Sequence, residues 1–264
     1  MPLFTLLSVY IFVIGLVFGS FLNVLIARLP KGVSIAFPPS SCPECGHRIR
    51  FYHNIPVIGY LVLKGRCRDC GGKISVKYPL VELLTGVMFL LVFLKFGLSW
   101  YTLKYIFFIF LLLGAGLTDV FTAADEDFEC GIIPDTYTLG GTLVGLLFSF
   151  VTYPDILTAL IGAAAGFLSL WIPAWLYKKL RRQEGMGGGD IKLMMMIGAF
   201  LGYVPIYFIV FGSAVIGSPV GIPLVILKKN KNYMIPFGAF IAVAAIVYIF
   251  FEPYLISLLL RESA

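Results

Sequence analysis

Charge is scarce in this sequence. Asp and Glu number 14, Lys and Arg 20 and His 2 in 264 residues, so charged groups make up 13% of the chain. That excludes a disordered chain, which needs many charges and few apolar groups to stay unfolded. Set against 59% hydrophobic residues and a mean hydropathy of +0.96, it excludes an ordinary soluble domain too. There is no repeat of solenoid period and no low-complexity tract. No positive cluster precedes the first apolar run, whose charges come afterwards at Arg28 and Lys31. This argues against a secretory signal and for an anchor with its N-terminus outside. Nor does any G-x-G-x-x-G element follow a strand pattern, so no nucleotide cradle of that kind is legible.

What is present is a series of apolar stretches. A bilayer crossing needs roughly 20 mostly apolar residues, and runs at 3–27, 80–97, 101–118, 133–151, 156–177, 190–203, 205–227 and 235–259 qualify, the sixth being short. The expectation is an all-α polytopic membrane protein of about eight transmembrane helices. Threaded from an outside N-terminus, segments 28–79, 119–132, 178–189 and 228–234 fall on the cytoplasmic side. With the flanking Lys192, they hold every Lys and Arg except Lys95, Lys104 and Arg261. The net charge of +6 thus reads as an orientation signal and not as a nucleic-acid footprint.

The one long hydrophilic segment, 28–79, is near the size at which a core alone is marginal and a staple is needed. Cys42-Pro-Glu-Cys45 and Cys67-Arg-Asp-Cys70 supply it. Two C-x2-C knuckles aim four thiolates at one point, a closed tetrahedral site that suits structural zinc. Disulfides are the rival reading, disfavoured on the reducing cytoplasmic side. His47 and His53 are spare, and Cys130 has no partner in the sequence.

Acids beside apolar runs are costly and therefore functional candidates. Asp119 closes the third run, and Asp190 follows Gly187-Gly188-Gly189 and opens the sixth. Both map to one membrane face, where two aspartates sharing a proton would suit peptide hydrolysis. An interfacial acid for Asp119 and a helix N-terminal acid for Asp190 are the plainer alternatives. Asp119, Asp125, Glu126, Asp127, Glu129 and Asp135 also form an acidic patch on a basic face, a docking site for a basic substrate segment or a solvated loop.

Taken together, several motifs resemble those of the bacterial type IV prepilin peptidases over nearly the whole chain. They are Phe18-Gly-Ser-Phe-Leu-Asn-Val-Leu-Ile-Ala-Arg-Leu-Pro30, Pro38-Pro-Ser-Ser-Cys-Pro-Glu-Cys-Gly-His47, Asn54-Ile-Pro-Val-Ile-Gly-Tyr60, Gly65-Arg-Cys-Arg-Asp-Cys70, Tyr78-Pro-Leu-Val-Glu82, Ile133-Pro-Asp135 and Gly187-Gly-Gly-Asp-Ile-Lys192. The resemblance implies an aspartyl endopeptidase of the bacterial inner membrane that removes the basic leader from prepilins and pseudopilins on the cytoplasmic side. It also implies methylation of the new N-terminus from S-adenosylmethionine. Its partners would be those substrates and membrane lipid, with no nucleic acid.

By the same resemblance Asp190 matches the second catalytic aspartate and Cys42, Cys45, Cys67 and Cys70 match the zinc ligands. The first aspartate departs from the family pattern. Asp127 stands at the usual distance before Asp135, whereas Asp119 lies farther upstream but closes an apolar helix as that aspartate should. Reading 120–127 as an insertion favours Asp119 and leaves Asp127 in play. No S-adenosylmethionine ligand is legible from the residues, and Gly19, Asn23 and Glu82 are candidates by resemblance only. Their plainer roles are helix packing, an interhelical hydrogen bond and pairing with a nearby Lys. The domains expected are a first transmembrane helix at 1–27, a cytoplasmic zinc domain at 28–79 and a membrane-embedded peptidase domain at 80–264. The alternatives are a polytopic transporter or scaffold with a zinc-binding partner module, and a peptidase lacking methyltransferase activity.

Overall fold

A computed structural model of the chain describes residues 2–128, 130–183, 185–228 and 236–261. Among them the regular structure is helical, with no named strand. In chain order the helices are α1 (Pro2–Arg28), α2 (Ile58–Val62), α3 (Lys77–Phe96), α4 (Trp100–Ala123), α5 (Asp135–Phe148), α6 (Ile156–Arg181), α7 (Gly188–Leu201), α8 (Val204–Lys228) and α9 (Phe237–Arg261).

Six of these, in α1, α3, α4, α6, α8 and α9, are long and apolar enough to cross a membrane. The expected crossings at 133–151 and 190–203 are α5 and α7, of 14 residues each. At 1.5 Å per residue each spans about 21 Å, short of a hydrocarbon core of about 30 Å. Large apolar side chains stand exposed along the long helices, among them Leu6, Val13, Leu157 and Phe211. In water such faces would aggregate, and in lipid they are solvated. The chain is a multi-pass membrane protein.

Two compact units divide within α4, residues 1–110 and 111–264. In the first, α1 packs along α3. Gly19 meets the Cα of Glu82 so closely that an added Cβ would lie 2.6 Å from it. The four-cysteine segment and α2 fill the connection between the two helices. In the second unit α7 is the centre. It is buried at nearly every position from Asp190 to Leu201, and α5, α6, α8 and α9 all pack on it. Gly162 and Gly198 bring α6 and α7 together: a Cβ on either would fall within 2.3 Å of the other's carbonyl oxygen. This close packing lets a 14-residue helix serve as the core. Its polar backbone is satisfied internally and its side chains are covered by protein.

Candidate functional site

The helix carrying Asp119 runs past the expected end at residue 118 to Ala123, which places Asp119 inside its last turns. The chain then returns over it. Thr122 Oγ1 donates to the Thr118 carbonyl at 2.7 Å and accepts from the Ile132 amide at 2.8 Å. That tie lays Gly131 on the Asp119 carboxylate, where a Cβ would sit 2.0 Å from Oδ1. Asp190 stands in the first turn of α7, where a carboxylate also favours the helix dipole. Both acids are buried, at 4% and 8% exposure.

The two acids meet at Gly238, in the first turn of α9. A Cβ built on that residue would lie 3.0 Å from Asp119 Oδ2 and 3.0 Å from Asp190 Oδ1, so the two oxygens are no farther apart than twice that distance. The same point is 2.4 Å from Ile133 Cδ1, and Ile133 also covers Gly189. Among the described residues Asp119 Oδ2 has no hydrogen-bond partner of good geometry, and the Gly238 and Ala239 amides lie beside its carboxylate. Two buried carboxylates facing one gap can flank a water and a scissile carbonyl between them.

Asp127 lies elsewhere. It is exposed in the turn after α4, and its amide donates to Asp125 Oδ1 at 3.2 Å. Of the acidic patch, Asp125 and Glu126 are exposed with it, Asp119 is interior, and Asp135 is bound by Lys192 Nζ at 2.7 and 2.9 Å. Glu129 and most of the basic segment 228–234 lie outside the described residues. Gly238 and Gly131 carry no signal in the sequence, because a glycine's role as a gap beside a distant carboxylate leaves no local pattern.

In the first unit the four cysteine sulfurs come within 4.8 Å of one another, without His47, His53 or Cys130. The two knuckles are built alike. Gly46 and Gly71, at φ +70° and +73°, turn their amides back onto the Cys42 and Cys67 carbonyls. Isolated bridges Ser41↔Arg48 and Arg66↔Lys73 close the two turns. Cys42 Sγ and Cys70 Sγ are 3.9 Å apart. That is nearly twice a disulfide bond and close to the roughly 3.8 Å separating sulfurs on a tetrahedral ion bonded at about 2.3 Å. The Cys70 and Asp69 amides hold the Cys67 thiol down to about 7. At Cys70 the Gly72 amide pulls the same way, but desolvation and the neighbouring thiols push it up to about 12. A cation favours the thiolate at all four positions and so resolves that conflict. The cluster can hold a metal ion.

Beside the cysteines, between α1, α3 and α2, lies a cavity of about 410 Å³. Asn23 and Glu82 both line it, with Ser20, Arg28, Tyr60 and Asp69. Asn23 Nδ2 donates to the Tyr78 carbonyl at 3.0 Å, and Glu82 Oε2 accepts from the Val57 amide at 2.7 Å. Gly19 is not in the wall and serves packing.

Two family models cover most of the chain. The bacterial peptidase A24 N-terminal domain matches residues 13–96, and the type IV leader peptidase family matches residues 115–222. The chain is 36% identical to the prepilin leader peptidase/N-methyltransferase of Aeromonas hydrophila, over 89% of this chain and 87% of that protein. It is 36% identical to the one from Neisseria gonorrhoeae, over 88% and 86% of the two chains. Identity to that of Pseudomonas putida is 35%, over 88% and 86%. No solved structure matches the chain significantly. With both halves of the chain matched and full-length relatives this similar, the chain belongs to the type IV leader peptidase family.

Proposed function

We propose that this protein is a membrane aspartyl endopeptidase that removes the basic leader peptide from type IV prepilins and pseudopilins, with Asp119 and Asp190 as the catalytic pair, and that it then N-methylates the product. The convergence of two buried carboxylates on the gap left by Gly238 carries the peptidase reading. In this chemistry the ionised aspartate takes a proton from water as the oxygen attacks the scissile carbonyl, while the protonated one donates to the carbonyl oxygen. Collapse of the tetrahedral adduct then returns a proton to the leaving amine and regenerates the shared-proton pair. The exposed acids Asp125, Glu126 and Asp127 would draw the basic leader towards the site.

The cysteine cluster binds zinc in a structural role, since four thiolates leave no position for water. Residues 28–79 are then a small zinc-held cytoplasmic domain between the transmembrane helix at 1–27 and a peptidase domain at 80–264. The concentration of Lys and Arg in the segments assigned to the cytoplasm supports that sidedness and a place in the bacterial inner membrane.

S-adenosylmethionine would occupy the cavity beside the cysteines, within the size range of small-molecule sites. The lining suits it: Asp69 for its positive groups, Arg28 for its carboxylate and Tyr60 for stacking on its base. When bound it supplies a methyl group to the new amino terminus. The test is to incubate membranes containing this chain with a model prepilin and the methyl donor, and to weigh the product. Loss of the leader with the gain of one methyl supports both activities; an uncut substrate sinks the peptidase reading, and a cut but unmethylated product sinks the second.

A further inference from the structure

The wall of the cavity includes a backbone conformation that a valine avoids. Val57 has φ +60° and ψ −49°, and the amide of Ile58 donates to the Pro56 carbonyl at 2.6 Å. Together these make a γ-turn centred on Val57, of the strained hand that few non-glycine residues adopt. A β-branched side chain makes the conformation still less favourable. Strain of this kind persists only where the surroundings over-determine it, and it clusters at ligand sites.

The neighbours of Val57 show what fixes it. Its own amide points to α3 and donates to Glu82 Oε2 at 2.7 Å, across 25 residues of sequence. Gly59, just after it, is buried against the His53 carbonyl, where a Cβ would sit 2.1 Å from the oxygen. The Gly59 amide donates to the Ile55 carbonyl at 2.8 Å, so the chain from Asn54 to Tyr60 is folded back on itself. Val57, Tyr60 and Glu82 all face the same cavity. Glu82 is 8% exposed and anchored on a long helix, whereas α2 has only five residues. The rigid element is α3, and the short turn takes its shape from it.

We propose that Glu82 is a positioning residue for this cavity: its carboxylate holds the Val57 amide and so keeps the strained turn at 56–58, which sets the place of Tyr60 in the wall. This rests on the methyl-donor reading of the cavity for its functional consequence, though the turn itself can be tested without a ligand. Two roles for Glu82 are thereby separated. A residue that holds the turn can be replaced if the turn is relieved of strain; one that binds the ligand directly cannot.

The experiment uses the purified full chain in detergent and four variants: Glu82→Gln, Glu82→Ala, Val57→Gly, and Glu82→Ala with Val57→Gly. Glutamine keeps an acceptor oxygen, and glycine adopts positive φ without a steric penalty. Hydrogen exchange of residues 54–62 without ligand reads the turn, and calorimetry with S-adenosylmethionine reads the cavity. Glu82→Ala is expected to speed exchange at the Val57 amide at least tenfold and to weaken ligand binding about tenfold, with Glu82→Gln within about threefold of wild type. The double variant is expected to recover most of the lost affinity. If it binds no better than Glu82→Ala, or if Glu82→Ala leaves exchange unchanged, the positioning role is overturned. If wild type shows no binding while the exchange pattern holds, the turn-holding role stands and the methyl-donor reading of the cavity falls.

Discussion

Asp119 Oδ2 and Asp190 Oδ1 each lie 3.0 Å from the point where residue 238 would carry its Cβ. The first acid comes from the end of α4 and the second from the start of α7, and the glycine of α9 leaves the gap between them. Access to both oxygens therefore depends on a residue that has no side chain.

Asp119→Asn and Asp190→Asn should each lower cleavage of a model prepilin by at least about a thousandfold at unchanged protein level, because each removes one member of the proposed catalytic pair. Asp127→Asn should stay near wild type, since Asp127 is exposed in the turn after α4. A dead Asp127→Asn with an active Asp119→Asn would reassign the first aspartate.

Gly238→Ala should lower kcat/KM by roughly a hundredfold, the usual cost of displacing reacting groups by about an ångström. Its methyl would meet Ile133 Cδ1 at 2.4 Å and both carboxylates at 3.0 Å. Steady-state kinetics alongside a thermal melt separate this from unfolding: a variant with a wild-type melt and full activity would show that the gap is not used.

Metal analysis of the purified chain should find about one zinc, and Cys42→Ser should lose it, because three thiolates and a hydroxyl bind zinc more weakly than four thiolates. Limited proteolysis should then cut within 40–74, the segment the two knuckles close. A metal-free wild type that resists protease equally well would refute a structural role.

The cap of α6 should make part of the stability pH-dependent. Asp155 accepts from the Thr158 hydroxyl at 2.6 Å and from the Leu157 and Thr158 amides, and the Thr158 hydroxyl first among these holds its carboxyl below the usual range. A depressed folded value means that the contribution is complete above the ordinary aspartate value, about 3.9, and is lost as pH falls through the folded one. The difference in Tm between wild type and Asp155→Ala should be full at pH 7 and shrink below about pH 4. A difference that does not change with pH would show that the charge of Asp155 is not involved.

Lys in place of Asp125 and Glu126 should raise KM for a prepilin with a basic leader and flatten the dependence of KM on salt, since exposed charges act through a screened field. Unchanged KM and salt dependence would remove the docking role of the acidic patch.

The sequence by itself determined the features that depend on neighbours along the chain. Apolar runs of bilayer length announced the six long helices, and two C-x2-C knuckles announced a four-thiol cluster, because each knuckle is a local turn whose geometry the glycine after it permits. α4 ends five residues beyond the third apolar run, since Val120 to Ala123 continue the helix after Asp119 without a break signal. Only the tertiary structure decided that α7, though apolar, is a buried core helix: apolarity looks the same to lipid and to protein, and only packing tells them apart. Tertiary structure likewise brought Asp119 and Asp190 together across 71 residues of sequence, left Asp127 outside, and set Glu82 on the amide of Val57. Those relationships join residues whose separation along the chain is arbitrary, so helix packing fixes them and no local pattern records them.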